Sequence, residues 1–289
     1  MSLKASELIL NKDGSIYHLG LLPEELAHTV ITVGDPARVD SISKHFDSIE
    51  LKKQKREFNT HTGSYKGKRI TVMSTGMGTD NIDIALTELD ALVNIDLKAK
   101  KINDKLTSLD IIRIGTTGSV RKEIPVDSFI VSEWALGFDG LMHYYKDDSF
   151  LKKEIAAAFV EQTNWSDKKA YPYVVEGSKK LIEKLSSDTT IKGFTGTNVG
   201  FYGPQARILR ADVPDHEMND KIANFSYKGL KITNLEMETS GIYGMSKILG
   251  HHAVSMNLVL ANRATGEFAE NAKVMMDKLI LYCLDRIVA

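Results

Sequence analysis

Residues 109–119 read LDIIRIGTTGS, a β-branched apolar run that ends in glycines and threonines. In a strand over 110–114, period-2 alternation places Arg113 and Ile111 on one face. Arginine is almost never fully buried without a partner, so we expect an anion beside Arg113. An internal Asp or Glu would satisfy it, and so would a bound ligand. Gly115–Ser119 is expected to follow the strand with free N–H groups and hydroxyls, at the edge where α/β sheets bind ligands.

Short β-branched runs alternate with helical patterns on both sides of this stretch. This alternation predicts an α/β protein with three layers, α/β/α, and a central mixed β-sheet. The predicted strands are 29–33, 58–65, 69–74, 110–114, 128–132, 192–198, 231–235 and 253–260. Lys66-Gly67-Lys68 predicts a hairpin turn, and Lys52–Arg56 a solvated strand edge.

Apolar stripes at helical spacing predict helices that start at Asp35-Pro36, at Asp80 and before Ile242, and a long terminal helix from Ala272. No internal repeat and no linker rich in Pro, Gly or Ser is found, which predicts one domain over residues 1–289. The polar stretches 98–108 and 147–153 are expected to be surface insertions or helix ends.

Composition narrows the class of protein. The 289 residues include 37 Lys+Arg against 38 Asp+Glu, a balance that does not suggest nucleic acid or an anionic membrane as the main partner. The single cysteine, Cys283, excludes an intramolecular disulfide framework and favours a cytoplasmic protein. No run of about 18 apolar residues and no basic, apolar leader is found, so neither a membrane span nor secretion by that route is expected.

Other segments at strand-to-helix junctions carry chemistry. Val33-Gly34-Asp35-Pro36-Ala37-Arg38 ends a strand and brings a second arginine, which together with Arg113 predicts an oxyanion cradle. Glu236 and Glu238 follow another strand, and we expect them to point in opposite directions, one into the pocket while the other braces it. Two acids that complement a helix dipole would give the same pattern.

A third segment, Phe201-Tyr202-Gly203-Pro204-Gln205-Ala206-Arg207, offers aromatic faces, an amide and a cation. An amide that both donates and accepts suits the imide edge of a pyrimidine, although a surface loop with a packed aromatic would look similar. Dinucleotide binding is disfavoured, because 76–81 has Asn81 where the G-x-G-x-x-G fingerprint needs glycine. No metal-binding histidine motif, phosphate loop or serine elbow occurs.

Together these segments resemble the uridine phosphorylases of the nucleoside phosphorylase family. The resemblance covers about residues 17–265, and the matching segments are 17–20, 34–38, 56–58, 74–78, 113–118, 201–207, 236–238 and 262–263. It implies a nucleoside phosphorylase-like fold that uses no cofactor and takes phosphate as a co-substrate.

The resemblance also implies a role for each matching residue. Phosphate binding is implied for Gly34, Arg38, Arg56, Arg113 and Thr116. Ribose binding is implied for His18, Arg56, Met237 and Glu238, with His18 and Arg56 serving the site of a neighbouring subunit. Base binding is implied for Thr117, Gly118, Phe201, Gln205, Arg207 and Arg263. Arg113, Gln205, Arg207 and Glu238 are the candidate catalytic residues.

Asn262-Arg263 stands where purine-specific relatives usually have an Asp near position 263, which favours a pyrimidine. The resemblance therefore predicts reversible phosphorolysis of uridine to uracil and ribose 1-phosphate, in pyrimidine salvage. The alternatives are a purine nucleoside phosphorylase or a nucleosidase of the same fold, and a non-catalytic nucleoside-binding protein. A homo-oligomer is implied, either a dimer or a hexamer of dimers. Thr79-Asp80-Asn81 departs from the family pattern and puts a potassium site near Glu57 in doubt, and no other metal is expected.

Overall fold

The structure, a computed structural model, describes residues 3–289. Its strands are β1 Thr29–Val33, β2 Ser48–Lys55, β3 Phe58–Tyr65, β4 Lys68–Ser74, β5 Ile95–Asp96, β6 Lys101–Ile102, β7 Asp110–Ser119, β8 Phe129–Gly137, β9 Tyr173–Glu176, β10 Thr190–Thr197, β11 Asn234–Glu236, β12 His252–Asn262 and β13 Glu267–Phe268. Its helices are α1 Pro36–Ser43, α2 Thr79–Asn94, α3 Lys153–Thr163, α4 Lys179–Leu185, α5 Met218–Asn224, α6 Thr239–Leu249 and α7 Ala272–Val288.

Eleven strands form one mixed sheet, in the order β13-β12-β8-β10-β11-β7-β1-β4-β3-β2 with β9 paired to β8. Strand β7 also pairs with β12, so the strands β7, β12, β8, β10 and β11 form a closed ring of pairings. The predicted mixed sheet is confirmed. Its closure was not predicted, because hydrophobic periodicity does not report which strands meet across a curved sheet.

Helices cover both faces of the sheet, as the predicted three layers require. Ile111 packs into a cluster with the buried residues of α2 and α6, whereas Ile112 packs into one with α1, α4 and α7. Successive side chains of a strand point to opposite faces, so the neighbouring isoleucines of β7 join different layers. The face shared by Ile111 and Arg113 is therefore the α6 face.

Most local predictions agree with the structure. Asp35 caps α1 by accepting a hydrogen bond from the backbone N–H of Ala37 at 2.9 Å, and Pro36 takes the first helical position. Helix α6 ends at Gly250, which has a φ of 77° in the left-handed region. The stretch 98–108 lies at the surface, where Lys101–Ile102 pairs with Ile95–Asp96.

Three local predictions are wrong. Strand β7 continues to Ser119 instead of ending at Ile114, because β12 pairs with it as far as Ser119. The strand expected over 231–235 covers only Asn234–Glu236. Strand β8 continues to Gly137 instead of ending at Ser132, because β10 pairs with it as far as Gly137. The prediction of an edge strand over Lys52–Arg56 is confirmed in β2, where Lys53 and Lys55 are partly exposed and their ammonium groups bind Glu25 and Asn11.

Cys283 lies on the buried face of α7, packed among the aliphatic residues of its layer. Burial raises the pKa of its thiol, so the thiol stays protonated in the folded state. The side chains around it also block a reagent from reaching the sulfur. We expect a thiol reagent such as DTNB to label the native chain at least about 10²-fold more slowly than the unfolded chain. Complete labelling of native protein within the mixing time would contradict this burial.

Candidate active site

A cavity of about 580 Å³ opens beside β7 and the start of α6. This volume is in the range of small-molecule sites. It is lined by Gly34, Asp35, Pro36, Arg38, Gly76, Met77, Arg113, Thr116, Thr117, Gly118, Phe201, Gln205, Arg207, Leu235, Glu236, Met237, Glu238, Leu260, Ala261 and Phe268. Most of the residues singled out in the sequence therefore meet here, drawn from five separate segments.

Arg113 lies at the bottom of this cavity with only 6% of its surface exposed. Its Nη2 atom lies 2.5 Å from Glu238 Oε2 and 3.2 Å from Glu236 Oε2. Burial alone would lower the pKa of the guanidinium, but the charges of both carboxylates outweigh burial and raise it. The internal ion pair considered from the sequence is thus present, and the arginine also faces the cavity.

Gly115 makes room for this arginine. A Cβ atom at Gly115 would lie 2.0 Å from Nη1 and 2.3 Å from Cζ of Arg113. Such distances are impossible between non-bonded atoms, so the guanidinium can lie across the backbone of β7 only because residue 115 has no side chain. The expectation of a flexible glycine loop here is wrong, since Gly115 is part of the strand.

The expected opposite orientation of Glu236 and Glu238 is wrong as well. Both carboxylates contact Arg113, because residues two apart on an extended chain project to the same side. Glu236 also accepts hydrogen bonds from Thr197 Oγ1 at 2.7 Å and from the backbone N–H groups of Glu238 and Thr239, each at 2.9 Å. Glu236 therefore braces the start of α6.

Glu238 is the more available of the two carboxylates. Besides Arg113 it accepts one hydrogen bond, from the backbone N–H of Gly78 at 2.9 Å. Burial and the charge of Glu236 raise its pKa, whereas Arg113 opposes this shift. Its remaining lone pairs can accept hydrogen bonds from the hydroxyls of a ligand.

Arg38 adds a second cation at the end of β1. Its Nη1 atom donates to the carbonyl of Ile114 at 3.4 Å, which holds the side chain beside β7. Burial, and then the like charge of Arg113, lower the pKa of Arg38. Two neighbouring guanidinium groups of like charge are well suited to share a multivalent anion.

The segment 201–207 supplies a different part of the wall. Arg207 lies over the ring of Phe201, with Cζ 3.8 Å from the ring centroid, and its Nη1 donates to Gln205 Oε1 at 2.5 Å. Gln205 Nε2 donates to the carbonyl of Gly200 at 3.1 Å. Each end of the amide keeps one further hydrogen-bonding position for a ligand. Burial, and then Arg263, lower the pKa of Arg207 to about 10, so it stays charged at neutral pH.

Three of the predicted residues do not line the cavity. Arg263 lies behind it, where Nη2 donates to the carbonyl of Gln205 at 3.1 Å. The His18 ring is held by Glu88, with Nδ1 2.7 Å from Oε1. Arg56 has its Cζ 5.8 Å from the ring centroid of Tyr17, next to His18 in sequence, so both predicted partner residues lie in one neighbourhood outside the chain's own cavity.

Sequence reasoning missed part of the lining. Leu260, Ala261 and Phe268 line the cavity, but apolar residues in strands give no sign of whether they face a core or a ligand. Met77 also lines it, in the matching segment 74–78, although the resemblance implied no role for it. Asn257, which contacts Arg113, did carry a signal, because it is an amide inside the apolar run 253–260.

Within residues 3–289, no group of three or more His, Cys, Asp or Glu is placed to hold a metal ion. In the same residues, no helix has the length and apolar character needed to cross a membrane.

Comparison with known proteins agrees with this fold and cavity. The chain is similar to the uridine phosphorylase of Thermococcus kodakarensis, with 29% identity over 90% of this chain and 82% of that protein. It is also similar to a DeoD-type purine nucleoside phosphorylase of Psychromonas ingrahamii, with 25% identity over 94% of this chain and 98% of the relative.

Among solved structures, a nucleoside phosphorylase of Trypanosoma brucei, described as showing uridine phosphorylase activity, superposes with a TM-score of 0.85. Its sequence is 30% identical, and the match covers 98% of this chain and 100% of that one. The pattern of the phosphorylase superfamily matches residues 28–288. The chain therefore belongs to the phosphorylase superfamily.

Proposed function

We propose that this protein is a uridine phosphorylase, which converts uridine and phosphate reversibly to uracil and ribose 1-phosphate in pyrimidine salvage. The observation that carries the proposal is the cavity that brings together Arg38, the buried Arg113 and Glu238, and a wall of Phe201, Gln205 and Arg207. The similarity to relatives with this activity supports it. We further propose that residues 1–289 form one domain and that the enzyme is cytoplasmic and needs no cofactor.

In the proposed reaction, phosphate is held by Arg38 and Arg113 together with Gly34 and Thr116. One phosphate oxygen forms a bond to C1′ of the ribose while the bond from C1′ to N1 of uracil breaks, and its electron pair moves into the base. These groups hold the phosphate in a fixed position, so the protein needs little reorganisation when the reaction occurs.

We assign the ribose to Met237 and Glu238, with the carboxylate accepting hydrogen bonds from the 2′- and 3′-hydroxyls. Glu238 is already ion-paired with Arg113, and this contact fixes its oxygens before the sugar arrives. The same contact places the sugar-binding group next to the phosphate-binding group. Phosphate bound to Arg113 would therefore lie next to the ribose bound to Glu238, which supports its attack on C1′.

The leaving uracil is assigned to Thr117, Gly118, Phe201, Gln205 and Arg207. Negative charge develops on the base as the glycosidic bond breaks, and Arg207 is a cation held beside it by Phe201 and Gln205. Arg263 supports this wall from behind through its bond to Gln205. This set of donors favours a pyrimidine dione over a purine.

We also propose a homo-oligomer in which His18 and Arg56 complete the cavity of a neighbouring subunit. Both residues lie outside the cavity of their own chain and close to the same aromatic ring, that of Tyr17. A dimer is the smallest assembly that meets this requirement, and a hexamer of dimers meets it as well. Phosphate and ribose would then be contacted by two chains.

The decisive experiment follows uridine absorbance with and without inorganic phosphate, with ribose 1-phosphate measured as the product. We expect uracil release only when phosphate is present. Release without phosphate would indicate a nucleosidase, and cleavage of inosine but not uridine would indicate a purine enzyme. Uridine binding by calorimetry without any product would indicate a binding protein.

Arg207→Met tests the base assignment. We expect kcat/KM for uridine to fall about 10²- to 10³-fold, since a preorganised charge that stabilises the leaving group is lost. The KM for phosphate should change little, because Arg207 does not contact Arg113 or Arg38. A rise in the KM for phosphate as large as the loss for uridine would contradict the assignment.

A further inference from the structure

A continuous chain of buried hydrogen bonds runs through the inside of the closed strand ring, starting at Arg113. Its members in order are Arg113, Asn257, Ser132, Thr195, Asn234 and Thr117. All of them are buried, and the four in the middle have no exposed surface. This series of hydrogen bonds takes one residue from each strand of the ring, in the order in which the strands pair, and it ends on β7, the strand on which it began.

The partners at the two ends of this hydrogen-bond chain set the orientation of its two amide groups, those of Asn257 and Asn234. Arg113 Nη1 can only donate, so the atom of Asn257 that it meets at 2.6 Å is the amide oxygen, and the amide nitrogen is left to donate to Ser132. At the far end, Thr117 Oγ1 donates to the carbonyl of Leu235 at 2.8 Å. Thr117 must therefore accept from the amide nitrogen of Asn234.

The middle of the chain follows from the same reasoning. The oxygen of Asn234 accepts from Thr195 Oγ1 at 3.1 Å and from Thr233 Oγ1 at 2.6 Å. With the hydroxyl hydrogen of Thr195 directed at Asn234, Ser132 is the donor in the 2.6 Å contact with Thr195. In this arrangement all the hydrogen bonds run in one direction from Arg113 to Thr117, and each bond polarises the next.

Asn257 holds the decisive position in this chain. In the pairing of β12 with β7 it lies opposite Gly115, the residue whose missing side chain lets the guanidinium cross the strand. The two carboxylates hold Nη2 of Arg113, whereas the amide of Asn257 and Ser255 Oγ at 3.4 Å hold Nη1. Without Asn257 the guanidinium could turn about its contact with the carboxylates.

We infer that Asn257 is a positioning residue that sets the orientation of the Arg113 guanidinium for phosphate, with the buried chain allowing its amide only one orientation. The inference rests on the proposed function, because it gives Arg113 the task of binding phosphate. Asn257 does not line the cavity, so it acts through Arg113 and not on the substrate.

Asn257→Leu tests the inference, since leucine fills a similar volume without the amide oxygen. We expect kcat/KM for phosphate to fall by up to about 10²-fold, as for a misplaced catalytic group, while the KM for uridine changes less than about threefold. The matched control is Thr62→Val, which removes a buried hydroxyl of the same sheet that binds Thr71 and the carbonyl of Glu25 away from the cavity. It should alter the melting temperature but not the KM for phosphate.

A lower melting temperature of Asn257→Leu with an unchanged KM for phosphate would overturn the inference. If the leucine variant does not fold, Asn257→Asp takes its place. It keeps an oxygen on Arg113 but adds a third negative charge there, so the KM for phosphate should rise, and rise further as the pH increases. An unchanged KM would again overturn the inference. Calorimetry of inorganic phosphate binding to the wild-type protein distinguishes a failure of this inference from a failure of the proposed reaction, because it measures phosphate binding without turnover.

Discussion

Arg113→Ala is expected to lower kcat/KM for phosphate by about 10²- to 10³-fold, because a fixed donor to the attacking anion is removed. It is also expected to lower the free energy of unfolding by about 3–5 kcal/mol, the usual result when one partner of a buried ion pair is deleted. The cause is that Glu236 and Glu238 would remain buried without their cation. Initial rates at varied phosphate and a urea unfolding curve measure the two effects.

The double variant Arg113→Met/Glu238→Gln separates these effects. It removes one buried charge of each sign and keeps the volumes, so it should regain much of the lost stability. It should regain no activity, because the phosphate cation and the ribose carboxylate are both absent. Equal losses of phosphate and uridine binding in Arg113→Ala, in protein that remains folded, would favour a purely structural ion pair.

Gly115→Ala should be nearly as damaging, although it adds only one methyl group. The new Cβ would occupy the space of Nη1 and Cζ of Arg113, so the guanidinium must leave its contacts with Asn257 and the two carboxylates. We expect a loss of about 10²-fold or more in kcat/KM for phosphate, as when a catalytic group is misplaced. Steady-state kinetics at varied phosphate and a thermal melt are the measurements.

Gly203→Ala provides the control for this substitution. The backbone angle φ of Gly203 is not in the left-handed region. A Cβ atom at Gly203 would have Val213 as its nearest neighbour at 3.8 Å, which is an ordinary van der Waals contact. We expect its KM for phosphate to stay at the wild-type value. Wild-type phosphate kinetics in Gly115→Ala would show that the guanidinium has another productive position.

Much of the fold could be predicted from local patterns. Strands β1 and β3 were predicted with their observed bounds, and the capped start of α1 follows from Asp35-Pro36. Strand β9 and helices α3, α4 and α5 were not predicted, because short elements with weak periodicity are decided by what packs on them. The meeting of several glycine, arginine and glutamate segments in one cavity was predicted from their positions after strands, together with the family resemblance.

The sequence by itself determined the α/β class, the family and most of the polar residues that face the cavity. These depend on local periodicity and on short motifs, which a single chain displays directly. Only the tertiary structure decided that the strands close into a ring and that Glu236 and Glu238 share Arg113. Only it decided that Asn257 holds the other side of that arginine. These contacts join residues more than a hundred positions apart, and their geometry is set by strand register, which hydrophobic patterning leaves open.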